Sequence, residues 1–114
     1  EMRRLLKIQQ ATEDCENIGI GDLYVTVYGG RTRRIGILLG EGKCYSEAMD
    51  ILAGVTLESL VVARRVAKAI YRKAELGQVS LQEFPMLVHA NDVLDNGKDA
   101  ELPWEKFTLD HTAN

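Results

Sequence analysis

The clearest pattern of apolar and polar positions lies between residues 57 and 74. Apolar residues recur there at intervals of three and four, the spacing that places side chains on one face of an α-helix. The basic residues of the segment fall mainly on its other faces. The pattern predicts a long amphipathic helix that buries one face in a core, and its apolar positions are Leu57, Leu60, Val61, Ala63, Val66, Ala67, Ile70 and Ala74.

Shorter helices are predicted on both sides of this element. Residues 31–39 carry apolar side chains on one side and end at Gly40, and Ser46 fits the N-cap of a next helix that runs to Leu52. After the long helix, Ser80 and Glu83 have capping-box spacing ahead of a further helix that ends at Asn96-Gly97.

The first thirty residues give a less definite pattern. Residues 2–16 have helical spacing but begin without a capping residue, as the end of a longer helix would. Residues 19–30 are rich in glycine, and Tyr24–Tyr28 has a composition typical of a strand. A strand, a buried irregular connection and a short helix all remain open there. Since one strand cannot make a sheet, the whole pattern predicts an all-α fold, with residues 1–114 as a single domain.

Composition narrows the class of protein. The chain has 114 residues, of which 46% are apolar and 27% charged, values typical of a soluble globular domain. It has neither an 18-residue apolar run nor a signal-peptide core, so we expect a cytoplasmic location and no membrane partner. A net charge of -3 argues against nucleic acid as the main partner. Twelve of the fourteen basic residues nevertheless lie in residues 1–74, which leaves room for a local positive field.

The segment Gly29-Gly30-Arg31-Thr32-Arg33-Arg34 is the strongest candidate for binding chemistry. It combines a predicted helix start, whose backbone N–H groups are open, with three guanidinium groups, a combination that suits phosphate or carboxylate. The plainer interpretation is a solvated basic loop with Thr32 as the N-cap of the following helix. The residues alone do not decide between the two.

Asp22 is a second candidate. In its glycine-rich context it fits an ordinary N-cap or turn residue, but a carboxylate four residues before the Thr26 hydroxyl also suits a substrate hydroxyl or the orientation of a catalytic base. No metal site is expected, because the two cysteines lie far apart and His89 and His111 each stand alone. Core or surface positions are the expectation for both histidines.

A succession of short motifs covers nearly the whole chain in order. The motifs are Glu1-Met2 with Arg4-Leu5, Gly19-x-Gly21-Asp22-Leu23-x-x-Thr26, Tyr28-Gly29-Gly30-Arg31-Thr32-Arg33-Arg34-Ile35-Gly36, Leu39-Gly40-x-Gly42-Lys43, Leu57-Glu58-x-x-x-x-Ala63, and Phe84-Pro85-Met86 followed by Asn96-Gly97-Lys98. Each is weak alone, but their order and gaps are specific. The chain resembles the carboxy-terminal domain of NAD(P)-dependent glycerol-3-phosphate dehydrogenase.

The resemblance implies an all-α substrate domain of the 6-phosphogluconate dehydrogenase C-terminal-like fold, which follows an amino-terminal Rossmann domain that these residues do not include. It implies interconversion of dihydroxyacetone phosphate, a phosphorylated triose, and sn-glycerol 3-phosphate by hydride transfer. The cofactor is NAD or NADP, bound mainly by the Rossmann domain. The roles implied are catalysis by Asp22 and Thr26, substrate binding by Asp22, Gly30, Arg31 and Thr32, and cofactor binding by Arg31, Thr56 and Glu58.

The chain departs from the family pattern in three places. Thr32 stands where the family has Asn, Ser59 stands where it has Gly, and the Lys-Asn motif with the catalytic lysine is not in these residues. We therefore expect no catalysis by this chain alone. The alternative function is a non-catalytic helical interaction or dimerisation module of the same fold. A homodimer is a further expectation, because the helix over residues 2–16 should leave apolar side chains such as Leu5 partly bare.

Overall fold

The computed structural model describes residues 1–10, 13–55 and 57–107, and these residues contain helices and turns but no strand. The all-α prediction is confirmed. No helix in these three ranges is both long enough and apolar enough to span a bilayer. The helices are α1 (Met2–Ile8), α2 (Glu13–Gly29), α3 (Thr32–Gly40), α4 (Tyr45–Ile51), α5 (Glu58–Glu75) and α6 (Pro85–Asn96), with 3₁₀ turns at Leu81–Glu83 and Trp104–Lys106.

The core lies among α3, α4, α5 and α6. The long amphipathic helix predicted from the spacing is α5, and its face toward α6 is buried at Leu60, Ala67 and Ile70, whereas Val61 is exposed. Phe84 is almost completely buried where the 3₁₀ turn enters α6. The central cluster of buried side chains consists of Ile35, Ala48, Leu52, Leu57, Leu60 and Leu94.

Capping residues mark the ends of these helices, but two of the predicted caps are wrong in position. Gly97 ends α6 in the left-handed conformation, at φ 65°, as the Asn-Gly pair predicts. The Ser80–Glu83 capping box is present, but it opens the 3₁₀ turn instead of α6. The N-cap of α4 is Cys44 and not Ser46; the backbone N–H of Cys44 donates to Glu47 Oε2 at 2.9 Å.

Arg64 joins three helices. Its Nε donates to Asp95 Oδ1 at 2.6 Å, an Nη donates to the Leu94 carbonyl at 3.0 Å, and the guanidinium lies 4.8 Å from the centre of the Tyr45 ring. Burial acts to lower the pKa of Arg64, but the hydrogen bonds to Asp95 and Tyr45 outweigh it and raise that pKa. This arginine therefore fastens α5 to α6 and α4, instead of presenting a free positive charge.

The first thirty residues differ from the sequence prediction. Residues 2–16 are not one helix, because α1 ends at Ile8 and Gln10 has a left-handed φ of 54° before α2 begins. The strand and irregular-connection alternatives for residues 19–30 are wrong, since α2 is a helix of 17 residues through Gly29. Its apolar side chains are exposed, whereas α1 is held at α6 by Glu1, whose carboxylate accepts the N–H groups of Met86 and Leu87.

Candidate functional site

The segment from Gly29 to Arg34 lies at the junction between α2 and α3. The Gly30 N–H donates to the Thr26 carbonyl at 2.8 Å, and a Cβ at Gly30 would lie 2.8 Å from both that oxygen and the Thr26 methyl group. Only glycine fits so close to the preceding turn. The chain then enters α3 with Arg31 at the N-cap and Thr32 as the first helical residue. The predicted helix start is confirmed to within one residue, and Thr32 as the N-cap is wrong.

The amino ends of α3 and α5 meet at one point. Thr32 Oγ1 and Ser59 Oγ are 2.5 Å apart and share a hydrogen bond, although the two residues are 27 positions apart in the chain. Thr32 is the first residue of α3 and Ser59 the second of α5. In these first turns the N–H groups of Arg33, Arg34 and Leu60 donate at 3.1 Å to the carbonyls of Gly30, Arg31 and Leu57, respectively. Both helix dipoles nevertheless place positive potential there. The geometry suits an anion.

The Arg31 guanidinium is exposed and forms no hydrogen bond or ion pair with any described residue. Arg31 precedes the buried Ile35 by four residues, so the two lie on the same side of α3, the side that faces the core and α5. Arg33 is two residues further on and lies on the opposite side. Arg31 and Arg33 therefore lie on different sides of α3, and Arg31 directly precedes Thr32 of the Thr32–Ser59 pair.

Asp22, Thr26 and Gly30 follow one another at intervals of four, so they lie along one stripe of α2 and its end. The structure brings Thr26 against Gly30. Asp22 lies about 6 Å behind Thr26 along the helix axis, at 1.5 Å per residue. Asp22 is exposed in the middle of α2, so its interpretation as an N-cap or turn residue is wrong.

Glu58 opens α5 directly before Ser59 and is exposed. A carboxylate at this place suits a hydroxyl group of a ligand better than its phosphate, which it would repel. Thr56, the other position expected near the cofactor, lies outside the described residues. The structure thus groups Gly30, Arg31, Thr32 and Glu58. Thr26 lies next to Gly30, and Asp22 lies about one helical turn behind Thr26 on α2.

The described residues also form a cleft away from this site. A cleft of about 950 Å³ separates the side of α6 from residues 98–106, and none of the expected site residues lines it. His89 lines that cleft and is buried, as expected for a core histidine; His111 lies outside the described residues. Among the residues described, no group of three or more His, Cys, Asp or Glu side chains could hold a metal ion.

Sequence reasoning missed Ser59 as a contact of the site. The available signal is that Thr32 and Ser59 are the two positions where the chain departs from the family's Asn and Gly, and the structure shows the two departures hydrogen-bonded to each other. A serine hydroxyl in place of a hydrogen atom provides the partner that the threonine uses. Only the tertiary contact reveals that the two changes belong together.

Comparisons with known proteins address the fold and the family. The model of the family described as NAD-dependent glycerol-3-phosphate dehydrogenase C-terminus matches residues 1–105. No curated protein and no solved structure matches the chain. The family match spans all six helices and every site residue discussed above. The chain therefore belongs to the NAD-dependent glycerol-3-phosphate dehydrogenase C-terminal family.

Proposed function

We propose that this chain is the substrate-binding part of a dehydrogenase that interconverts dihydroxyacetone phosphate and sn-glycerol 3-phosphate. The observation that carries the proposal is the Thr32–Ser59 hydrogen bond, which joins two helix amino ends at the residue directly after the exposed Arg31. The substrate phosphate binds there, since it gains the positive ends of two helix dipoles and a charge-assisted, bidentate pair with Arg31.

The remaining site residues have complementary roles in the proposal. Asp22 and Thr26 share the α2 stripe that leads to Gly30, and we assign them to the hydroxyl end of the substrate and to the orientation of the catalytic lysine, which these 114 residues do not supply. Gly30 lets α3 start close against Thr26, because a side chain there would collide with Thr26.

The residues present also fit one edge of a nicotinamide cofactor. The exposed Glu58 carboxylate can accept a hydrogen bond from a ribose hydroxyl, and Arg31 can reach a cofactor phosphate. Thr56 is assigned to the same edge on the family resemblance alone. NAD or NADP, when bound, supplies or accepts the hydride, and this chain's own contribution is to hold the triose phosphate beside it.

The test is a titration of the chain with sn-glycerol 3-phosphate, followed by amide NMR shifts, with glycerol as the control ligand. We expect phosphate-dependent shifts at Thr32 and Ser59, and a dissociation constant at least about tenfold higher in Arg31→Ala, because one partner of a charged pair is lost. Arg33→Ala is the matched control and should change the constant less than about twofold.

Two outcomes would contradict the proposal. Equal shifts of the same amides by glycerol would mean that no phosphate site exists here. Equal weakening of binding by Arg31→Ala and Arg33→Ala would mean that Arg31 has no special role in holding the phosphate. The second candidate function, a helical interaction module without chemistry, predicts no phosphate-dependent shift at all. The exposed apolar surface of α2 is the observation that favours it.

A further inference from the structure

The cleft between α6 and residues 98–106, which we call the α6 cleft, has the size and lining of a small-molecule site. Pro85, His89 and Asp92 are spaced by four and three residues, so they share the face of α6 that lines it. Leu102 and Pro103 add apolar wall from the segment that follows. The volume of about 950 Å³ lies at the upper end of the range for small-molecule pockets, roughly 300–1,000 Å³.

His89 gives the cleft a polar group without a partner. The residue is 8% exposed and is the one buried polar residue in the part of the chain that the structure describes. It lines the α6 cleft, and its imidazole forms no hydrogen bond with any described residue. A neutral imidazole has one donor and one acceptor, and buried polar groups are nearly always paired. The unpaired ring therefore indicates a ligand in the cleft.

Asp92, three residues after His89 on the same face, is already paired. Lys98 Nζ donates to Asp92 Oδ2 at 3.2 Å, and Asn96 Nδ2 donates to Oδ1 at 3.0 Å. Burial acts to raise the pKa of Asp92, but the hydrogen bonds from Asn96 and Lys98 outweigh it and lower that pKa. The carboxylate therefore stays charged at neutral pH, and Lys98 balances that charge within the cleft wall.

The exposed rim of the α6 cleft carries a surplus of negative charge. Asp99, Glu101 and Glu105 line it, and none of the three forms a hydrogen bond or ion pair with a described residue. Apart from Lys98, the described lining contains one cation, Lys106. The rim therefore attracts cations. A hydrated metal ion would gain nothing from the apolar walls, whereas an organic cation can bury an aliphatic body against them.

We propose that the α6 cleft binds a linear aliphatic amine with an ammonium group at each end. One ammonium group donates a hydrogen bond to the imidazole of His89 at the buried end of the cleft, beside Asp92. The aliphatic chain lies against the apolar walls, and the second ammonium group pairs with the carboxylates of the rim. No residue assigned to the phosphate site lines this cleft, so the two sites can each fail without the other.

Three ligands with the same number of carbon atoms test the recognition: hexamethylenediamine, hexanediol and adipate. In NMR titrations at constant ionic strength, we expect the diamine to shift the His89 ring and the Leu102 amide and to saturate at roughly millimolar concentration, the range for a ligand of this size. Hexanediol should bind at least about tenfold more weakly, and adipate should give no saturable shift. No saturable shift with the diamine, or equal binding of either other ligand, would overturn the proposal.

Two double variants separate the rim from the net charge of the chain. Glu101→Gln combined with Glu105→Gln removes two charges from the rim. The matched control, Glu41→Gln combined with Glu75→Gln, removes two charges from exposed positions that do not line the cleft. We expect the rim variant to weaken diamine binding at least about fivefold and the control less than about twofold. Equal weakening by both would mean that only the net charge matters, which contradicts the proposal.

His89→Phe keeps an aromatic ring but removes both nitrogens, and it should weaken diamine binding at least about fivefold. Circular dichroism and thermal unfolding check that this variant folds. If it does not fold, the ring-nitrogen resonances of wild-type His89 provide the readout, and resonances that stay unchanged at diamine saturation would overturn the proposal. Titration of the rim variant with glycerol 3-phosphate should give the wild-type affinity, which separates this result from a failure of the phosphate site.

Discussion

The segment from α3 to α6 and the segment from α1 to α2 differ sharply in how they use apolar residues. All buried apolar side chains among the described residues lie between Ile35 and Leu94, whereas α2 exposes Ile18, Leu23, Val25 and other large side chains by half or more. α5 concentrates its apolar residues on one face, which one neighbour can cover. α2 carries them on several sides, and a helix of that kind needs neighbours on several sides. The number of apolar residues therefore shows how much surface a helix can bury. Their spacing along the helix shows on how many sides it needs neighbours.

The largest difference in unfolding free energy between the two segments is expected for one pair of isoleucines. Ile35 is 2% exposed in the core, and Ile18 is 72% exposed on α2. We expect Ile35→Ala to lower the free energy of unfolding by about 2–5 kcal/mol, because it leaves a cavity and loses buried apolar surface. Ile18→Ala should change it by less than about 0.5 kcal/mol.

Thermal or urea unfolding of both variants measures this difference, at a protein concentration low enough to keep the chain monomeric. Equal destabilisation by the two substitutions would mean that α2 is packed as tightly as the core, and the division into two segments would be wrong.

An intermediate change in stability is expected at Gly30, where the two segments join. A Cβ at Gly30 would lie 2.8 Å from backbone and side-chain atoms of Thr26, whereas one at Gly29 would meet nothing within 4 Å. We expect Gly30→Ala to cost about 1–3 kcal/mol of stability through forced displacement. Gly29→Ala, the control, should be neutral or slightly stabilising, since alanine favours the helical conformation.

The same unfolding experiment, together with the glycerol 3-phosphate titration, checks this prediction. Gly30→Ala should also weaken phosphate binding, because it moves the start of α3. If both alanines are tolerated equally, the α2–α3 junction is not the rigid link between the segments that its geometry indicates.

The smallest effect concerns the start of α4 in the core segment. The pKa of Glu47 lies below its ordinary value of 4.5. The main cause is the hydrogen bond from the Cys44 backbone N–H, and a hydrogen bond from the Cys44 side chain adds to it. A lowered folded-state pKa means that the carboxylate adds stability above pH 4.5, and that this contribution is lost as the pH falls through the folded value. Glu47→Gln should therefore lower Tm slightly at pH 7, and this difference should shrink as the pH falls below 4.5.

Glu41→Gln serves as the control, because Glu41 is exposed at the end of α3 and lies in no capping box. A Tm difference for Glu47→Gln that stays constant from pH 7 to pH 3 would show that the carboxylate charge does not act at this N-terminus.

Much of the core segment could be predicted from the sequence, because its signals are local. The spacing of three and four in residues 57–74 places the buried face of α5, glycine after asparagine ends α6, and the arginine-rich segment opens α3. The position of Arg31 at the start of α3 also follows from neighbouring residues. Each of these features depends on side chains within a few positions, where backbone geometry and capping decide the outcome.

Tertiary structure decided the rest. Tyr24–Tyr28 has the composition of a strand, yet it is helical, since no second strand is present among the described residues to pair with it and a helix satisfies its own backbone hydrogen bonds. The contact of Thr32 with Ser59 joins residues 27 positions apart, and no local pattern encodes it. Such contacts form only when α3 and α5 pack on the common core around Ile35 and Leu60, because the packing, and not the spacing along the chain, sets the distance between their amino ends.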